Sequence, residues 1–461
     1  MRSFNLLLVL LAFVSCAKKT TLPTDEFINS DLEPKKDINL LLDEKSYLTI
    51  NYSLNKKGII DTFQYFIDTY MTEPMLFPDY SVTAIMKRNG DMNVEFDGKQ
   101  VLINLPMSIA IEKNTLLGRI KADGELTVSL VSEIIINPYW QFSTKTKLVM
   151  HEWTKKPRMK LGVSFPIETI SNKILERMKP QIETSIDDNM RLGFDLKARI
   201  QNVSNLTLVP YKLNEIYGGW MTTQVDTAYM NGAMNRKDET EGKITLAART
   251  FISSEKPNVS PIAKTPVFSW KENLPDSSKL NLQLDLTYAY LEAIANENVR
   301  GQVYSDGDKK ITIHNIKITG DDQNRLVVNA EVYGTFRGIV LIKGKPFYDK
   351  NQKMLKATDV DVSIQTGNII HSAAAFLLKG KIKKEISKMM EFPLAEKVAD
   401  TQKQVDDMLK KFNTTNNVNT TAKIGSLDIA ATLAEETRLR STITVTFYLH
   451  TYMDNLSYFR Q

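Results

Sequence analysis

The chain has 461 residues, a single cysteine and a formal charge of +5 from 59 basic and 54 acidic residues. One thiol excludes a fold that rests on internal disulfides, and so small and evenly spread a charge excludes nucleic acid as a partner. Stability must come from apolar burial, and the length is sufficient for two separate cores.

The N-terminus reads MRSFNLLLVLLAFVSCAKK, with Arg2 ahead of an apolar run from Leu6 to Val14. That run is shorter than the ~20 residues a membrane-spanning helix needs, and fits the hydrophobic region of a secretory signal. Ser15, a small residue, precedes Cys16, and the arrangement resembles a bacterial lipobox, whose cysteine is acylated and becomes the first mature residue. The competing reading is an ordinary cleavable signal that ends at a chance cysteine. Three acyl chains on Cys16 would anchor the protein stably, where one chain would not. Ala17 stands where an inner-membrane-retained lipoprotein carries aspartate, which points to the outer membrane. Lys18 and Lys19 replace the acidic cluster that marks surface export, which points to its periplasmic face. Residues 17–37 are polar and proline-bearing, a flexible tether.

From residue 46 the pattern alternates strands with a few helices. SYLTINYSLNK (46–56) and KLNLQLDLTY (279–288) alternate apolar and polar, and a short helical pattern follows each. In the first of these helices Ile59, Ile60, Phe63, Phe66, Ile67 and Tyr70 carry the apolar face. Hairpins come next, punctuated by Asn89-Gly90 and Asp97-Gly98, then by Ser305-Asp306-Gly307-Asp308 and Gly320-Asp321-Asp322. Between the later turns Ile311 and Ile313 share a face, and Ile316 and Ile318 resume the alternation after His314-Asn315. Long strands at 119–130 and 144–153 have counterparts at 325–336 and 355–364. Each set leads to a long amphipathic helix. The first, 166–190, carries Ile167, Ile170, Ile174, Met178, Ile182, Ile186 and Met190; the second, 368–391, carries Ile370, Ala374, Leu377, Ile382, Ile386, Met389 and Met390. This repeated order reads as duplication of a domain rather than as a solenoid, whose units are ~20 to 50 residues. The intervening segment opens with a strand-like LKARIQNVSNLTLV and exits through KPNVSPIAKTP. A further helix with Val405 and Leu409 on its apolar side precedes a terminal strand, RSTITVTFYLH.

A lipobox, two sheet-rich halves each closing in a long helix, and a central Trp220-Met221 strand with a basic-then-proline exit resemble a bacterial lipoprotein family, domain-of-unknown-function family 4403. The halves also resemble the tubular lipid-binding (TULIP) fold. That resemblance implies an α+β architecture of two related halves, each a curved antiparallel sheet wrapped on a long amphipathic helix. It also implies that lipids or other apolar molecules are held between helix and sheet, with no catalytic residues and no cofactor.

The four histidines lie far apart, and His151-Glu152 lacks the second histidine of a zinc-protease motif, Lys155 standing in its place. Asp359 and Asp361 share a strand face and read as its solvated side; Asp306-Gly307-Asp308 lacks the further ligands of a calcium loop. No metal site and no enzyme is expected. The expected division is a signal peptide (1–15), a lipidated tether (16–45), a first half (46–194), central strands and linker (195–278) and a second half (279–461). Two functions compete: an envelope lipoprotein that binds a lipid or other apolar ligand, and a structural or assembly scaffold with a solid core. In the first, Ile170, Ile174, Met178, Ile182, Leu377, Ile382 and Ile386 would line the ligand space. Lys155, Lys156, Arg158 and Lys160, expected at a hairpin tip beside Pro157, are candidates for contact with a membrane surface. The partners expected are thus the membrane, through acylated Cys16, and an apolar ligand. Replacing Cys16 with alanine is expected to leave the body folded and move it out of the membrane fraction. Mutant protein that still sediments with outer membranes in high salt would contradict the lipobox.

Overall fold

A computed structural model describes residues 44–70, 74–78, 81–115, 118–159, 167–193, 195–214, 218–258, 264–306, 308–366, 392–393, 402–403, 405–407, 409–411, 413–414 and 418–454. The chain begins β1 (Ser46–Asn55), α1 (Lys56–Tyr70), β2 (Met75–Phe77), β3 (Val82–Arg88), β4 (Asn93–Gly98), β5 (Gln100–Thr115), β6 (Gly118–Ile136), β7 (Phe142–Met159) and α2 (Ile167–Gly193). It continues through α3 (Leu196–Leu208), β8 (Tyr211–Asn214), β9 (Gly218–Met230), β10 (Ala233–Arg236), β11 (Glu239–Ser253) and β12 (Val267–Trp270). The last part holds β13 (Ser278–Thr287), α4 (Tyr288–Val299), β14 (Val303–Asp306), β15 (Lys309–Gly320), β16 (Leu326–Gly334), β17 (Gly338–Asp349), β18 (Met354–Thr366), β19 (Phe392–Pro393), β20 (Asn419–Ala434) and β21 (Arg438–Met453).

These strands form two sheets. A 15-stranded sheet runs β2-β3-β5-β4-β10-β11-β1-β13-β21-β20, with β6 and β7 continuing from β5 and β9 carrying β8 and β12. A 6-stranded antiparallel sheet runs from β14 to β19 in sequence order. The period-2 pattern explains the strands directly. On β5, Val101, Ile103, Leu105, Met107, Ile109 and Ile111 are buried, and the alternate residues face outward.

The expected architecture of two related halves, each a curved antiparallel sheet wrapped on a long amphipathic helix, is overturned. The fold is mostly antiparallel sheet, and β1, β11, β13 and β21, drawn from distant parts of the chain, are hydrogen-bonded neighbours in one sheet. The long helix α2 is covered on one side only, since Lys173, Glu176, Arg177 and Lys179 are exposed. The counterpart helix at 368–391 lies outside the described residues. The strand-like reading of 196–209 also fails. That segment is α3, capped by Asp195, whose carboxylate accepts from Ala198 N at 3.0 Å. Leu196 and Ile200, one turn apart, pack with Trp140 and Phe268, so tertiary contact decides the helix over an ambiguous pattern.

Joining so many strands creates a fork. One edge of β1 pairs with β11; the other meets β13 at Tyr47↔Lys279 and β21 from Asn51↔His450 onward. Backbone groups stranded between β13 and β21 would be costly to bury, and side chains take over the missing ladder. Ser278 Oγ accepts from Thr49 N at 2.9 Å and donates to Thr49 O at 3.1 Å. Ser46 Oγ does the same for Asn281 N and O, at 2.9 and 3.2 Å. Asn51 Nδ2 donates to Asp276 O and Leu449 O, both at 2.9 Å.

Helices close the outer edges in the same way. Among the described residues β7 pairs only with β6, and α2 lies along its other edge. Asp187 accepts from Thr146 N at 3.0 Å and Glu183 accepts from Leu148 N at 2.7 Å. Four residues of helix rise about 6 Å and two of strand about 6.6 Å, so side chains at i and i+4 match alternate strand amides. The register recurs on α4, where Asn296 accepts from Ile316 N and Glu292 from Ile318 N, each at 2.7 Å, beyond the reach of β14. Along β20, Gln402 bonds Ala422 O and Ile424 N, and Asn413 bonds Thr420 N and O, at 2.8 to 2.9 Å. These residues lie in a helical stretch whose Val405 and Leu409 are buried in the central core with Val445 and Phe447. Some of the edges left open among the described residues are short, β2 being only 3 residues long.

The small sheet is joined to the large one at the β20–β21 turn. Tyr288 Oη donates to Glu435 O at 2.6 Å, and burial pushes its pKa up to about 12. Gly320 allows this approach, because a Cβ there would lie 1.9 Å from Glu435 O.

Asp187→Ala removes the acceptor for Thr146 N and for the Thr144 and Thr146 hydroxyls. It is expected to lower stability by about 1–3 kcal/mol in urea unfolding, with a smaller loss for Asp187→Asn, which keeps one acceptor. An Asp187→Ala midpoint equal to that of the parent would contradict this role.

Candidate functional site

The most distinctive apolar region is the seam between α2 and the sheet of β3, β5, β6 and β7. On α2 the apolar residues recur at three and four positions, which places Ile174, Met178 and Ile182 in one stripe. All three are buried, at 0%, 1% and 2% exposure, together with Leu175. Opposite them stand inward-facing residues of the strands, including Ala84, Met86, Ile103, Leu105, Met107, Leu126 and Leu130. The carboxylate contacts of Glu183 and Asp187 fix the helix in register. Nearer its N-terminus Trp153 Nε1 donates to Asn172 Oδ1 at 2.9 Å, which pins the strand end.

The composition of this seam is unusual. Met86, Met92, Met107 and Met178 are all buried in it, and Met75 packs against it. The core beneath β13, β20 and β21 buries only Met221 among its described members, and the core of the small sheet buries none. Methionine is unbranched and polarisable, and adapts its shape at little cost. The seam is therefore closed and also deformable. A separate concavity of about 300 Å³ is lined by Asn413, Thr414, Val418, Asn419, Tyr452 and Asp454. Its polar lining is unsuited to an apolar ligand.

The structure gathers Ile174, Met178 and Ile182 on one buried stripe, and Ile170 lies on the same helix. Leu377, Ile382, Ile386 and Cys16 lie outside the described residues. Lys155 and Lys156 are exposed on β7, and Lys155 pairs with Glu125 at 3.5 Å. Arg158 lies on the same strand opposite Asp123, and Lys160 is outside the described residues. The hairpin tip expected here is instead the end of a strand, which runs through Pro157 to Met159. A proline fits because β7 is an edge strand and bulges here, with Pro157 seated over Gly124. The sheet-side methionines Met86, Met92 and Met107 went unremarked in the sequence, although Met107 falls in the inward phase of VLINLPMSIAI.

One polar pair joins residues remote in sequence, Ser53 Oγ and His450 Nε2, 2.9 Å apart across the β1–β21 junction. Ser53 is 2% exposed and so has no open face toward a substrate. Asp359 and Asp361 are exposed on β18, where a bulge holds Asp359 at φ 52°. Among the described residues no three metal-ligating side chains come together, and no helix is long and apolar enough to cross a membrane.

Residues 53–449 match the family described as Domain of unknown function (DUF4403). The chain belongs to this family. No curated protein matches it. Among solved structures, a lipopolysaccharide binding protein aligns at 8% identity and a TM-score of 0.29, over 87% of this chain and 98% of that one. P47 of Clostridium botulinum E1 aligns at 9% and 0.20, over 86% and 99%. P47 from Clostridium botulinum A2 aligns at 9% and 0.21, over 87% and 99%. None of the three superposes closely enough to carry an argument about this protein.

Proposed function

We propose that this DUF4403 protein is an envelope lipoprotein, held by acylated Cys16 in the outer membrane on its periplasmic face, that binds a lipid or other apolar ligand. The ligand would lie between α2 and the sheet, and the role is binding rather than catalysis. The observation that carries the reading is the concentration of buried methionines at that seam, a wall able to yield to an acyl chain. Entry would displace side chains now in contact and leave the Asp187 and Glu183 contacts in place.

A specific observation favours the competing reading. Ile174, Met178 and Ile182 are almost wholly buried, so the seam in this state is a packed core. A scaffold lipoprotein would require nothing more.

Lipid extraction of the purified protein, followed by mass spectrometry, separates the two, with Met178→Trp measured beside the parent. The binding reading expects a stoichiometric lipid in the parent, and in the variant its loss with near-native melting, the indole filling the ligand's space. The scaffold reading expects no lipid, and a variant destabilised by about 1–3 kcal/mol through overpacking.

A further inference from the structure

We infer that the β-bulge at Val149–Met150 is a membrane-contact point that seats the body against an anionic bilayer. The ladder between β6 and β7 slips here: Ser129 pairs with Met150 and Leu130 with Leu148, leaving Val149 as the extra residue. Leu148 stays in the core at 6% exposure, whereas Val149 and Met150 are 59% and 58% exposed. A regular strand would have turned one of each consecutive pair inward; the bulge turns both outward. Met150's own row continues to Ser129 and Asn104, and in the row beyond it Val131 and Leu102, the latter 38% exposed, stand across from Lys147.

Cations flank the pair on both sides. Lys145 and Lys147 precede it on β7, and Lys155 and Lys156 follow, all exposed. The acidic groups facing the same way include Glu152 on β7, Glu133 across from Lys145, Glu125, which is held by Lys155, and the exposed Asp123. Lysines and carboxylates balance on this face, so the apolar pair supplies the affinity and the lysines set the orientation. Their long stems can lie along the apolar pair while the ammonium groups reach lipid phosphates.

Other occupants fit poorly. A second copy cannot add a strand to β7 beside this bulge, because α2 lies along that edge and Asp187 and Glu183 hold the Thr146 and Leu148 amides. Two protruding side chains and their neighbours also fall far short of the ~800 Å² per partner that a stable interface needs. A bilayer needs only a small apolar wedge, since the anchor keeps the body close. The inference rests on the envelope placement proposed above but on neither acylation nor a bound ligand.

The test uses the full chain carrying Cys16→Ala, so that no acyl group contributes, in co-sedimentation with vesicles of phosphatidylethanolamine and phosphatidylglycerol. The parent is expected to bind, and Val149→Ser/Met150→Ser to bind about tenfold or more weakly, the loss expected from two apolar groups no longer buried. Thermal melting should be unchanged, because both side chains are exposed. Lys145→Glu/Lys147→Glu should weaken binding at low salt and lose that effect at high salt. A parent that binds no anionic vesicle, or a double-serine variant that binds as well as the parent, would overturn the inference. Either result leaves the Cys16 fractionation outcome, and thus the anchor, to be judged separately.

Discussion

The structure depends on one interaction, a polar side chain that stands in for a missing strand. Sheets this large carry long edges and internal forks, and each stranded amide or carbonyl is costly to bury unpaired. Ser46 and Ser278 solve this at the β1 fork, and Asn296 and Asn413 solve it at outer edges, each both accepting from and donating to one backbone residue. Where the capping group comes from a helix, its 1.5 Å rise and the strand's 3.3 Å rise let positions four apart meet amides two apart. Helix placement is thus fixed by hydrogen-bond register as well as by apolar burial. This is how α2 and α4, on different sheets, dock alike.

That register bears on the proposed function. If packing alone held α2, a ligand that prised open the seam would release the helix. With Glu183 and Asp187 fastened to β7, the helix can stay docked along one line while the methionine-rich side yields. Rigidity at the edge and softness in the seam are separate properties of one helix, set by residues on different sides of it. Bulges play a comparable part on β7, where one seats Pro157 over Gly124 and another turns Val149 and Met150 outward. An edge strand tolerates both because only one neighbour depends on its pleat.

Much of the secondary structure was legible in the sequence, because period 2 is a strong local signal. The inward phase of β5 and the interruption at His314-Asn315, which falls where the β15–β16 register slips, could both be read from residue order. So could the buried stripe of Ile174, Met178 and Ile182. What local pattern could not carry was partnership. Nothing in SYLTINYSLN says that it will lie between β11 on one side and both β13 and β21 on the other. A repeated order of elements therefore suggested two self-contained halves where strands from distant segments share one sheet. The capping groups were hidden for a related reason: Asp187, Glu292 and Asn413 look like ordinary solvated helix positions until the strand edge they serve is known. The helical state of 196–208 depended likewise on Trp140 and Phe268, far off in sequence.

The most direct test of this account is amide hydrogen exchange at the capped edge positions, Thr146, Leu148, Ile316, Ile318, Thr420 and Ile424. Strand amides bonded to a side chain on a docked helix should be protected to the same degree as the ladder amides of β5 and β6. Exchange at these six as fast as at the open edge of β2 would contradict it, and would mean that the helices pack on the sheets without closing them.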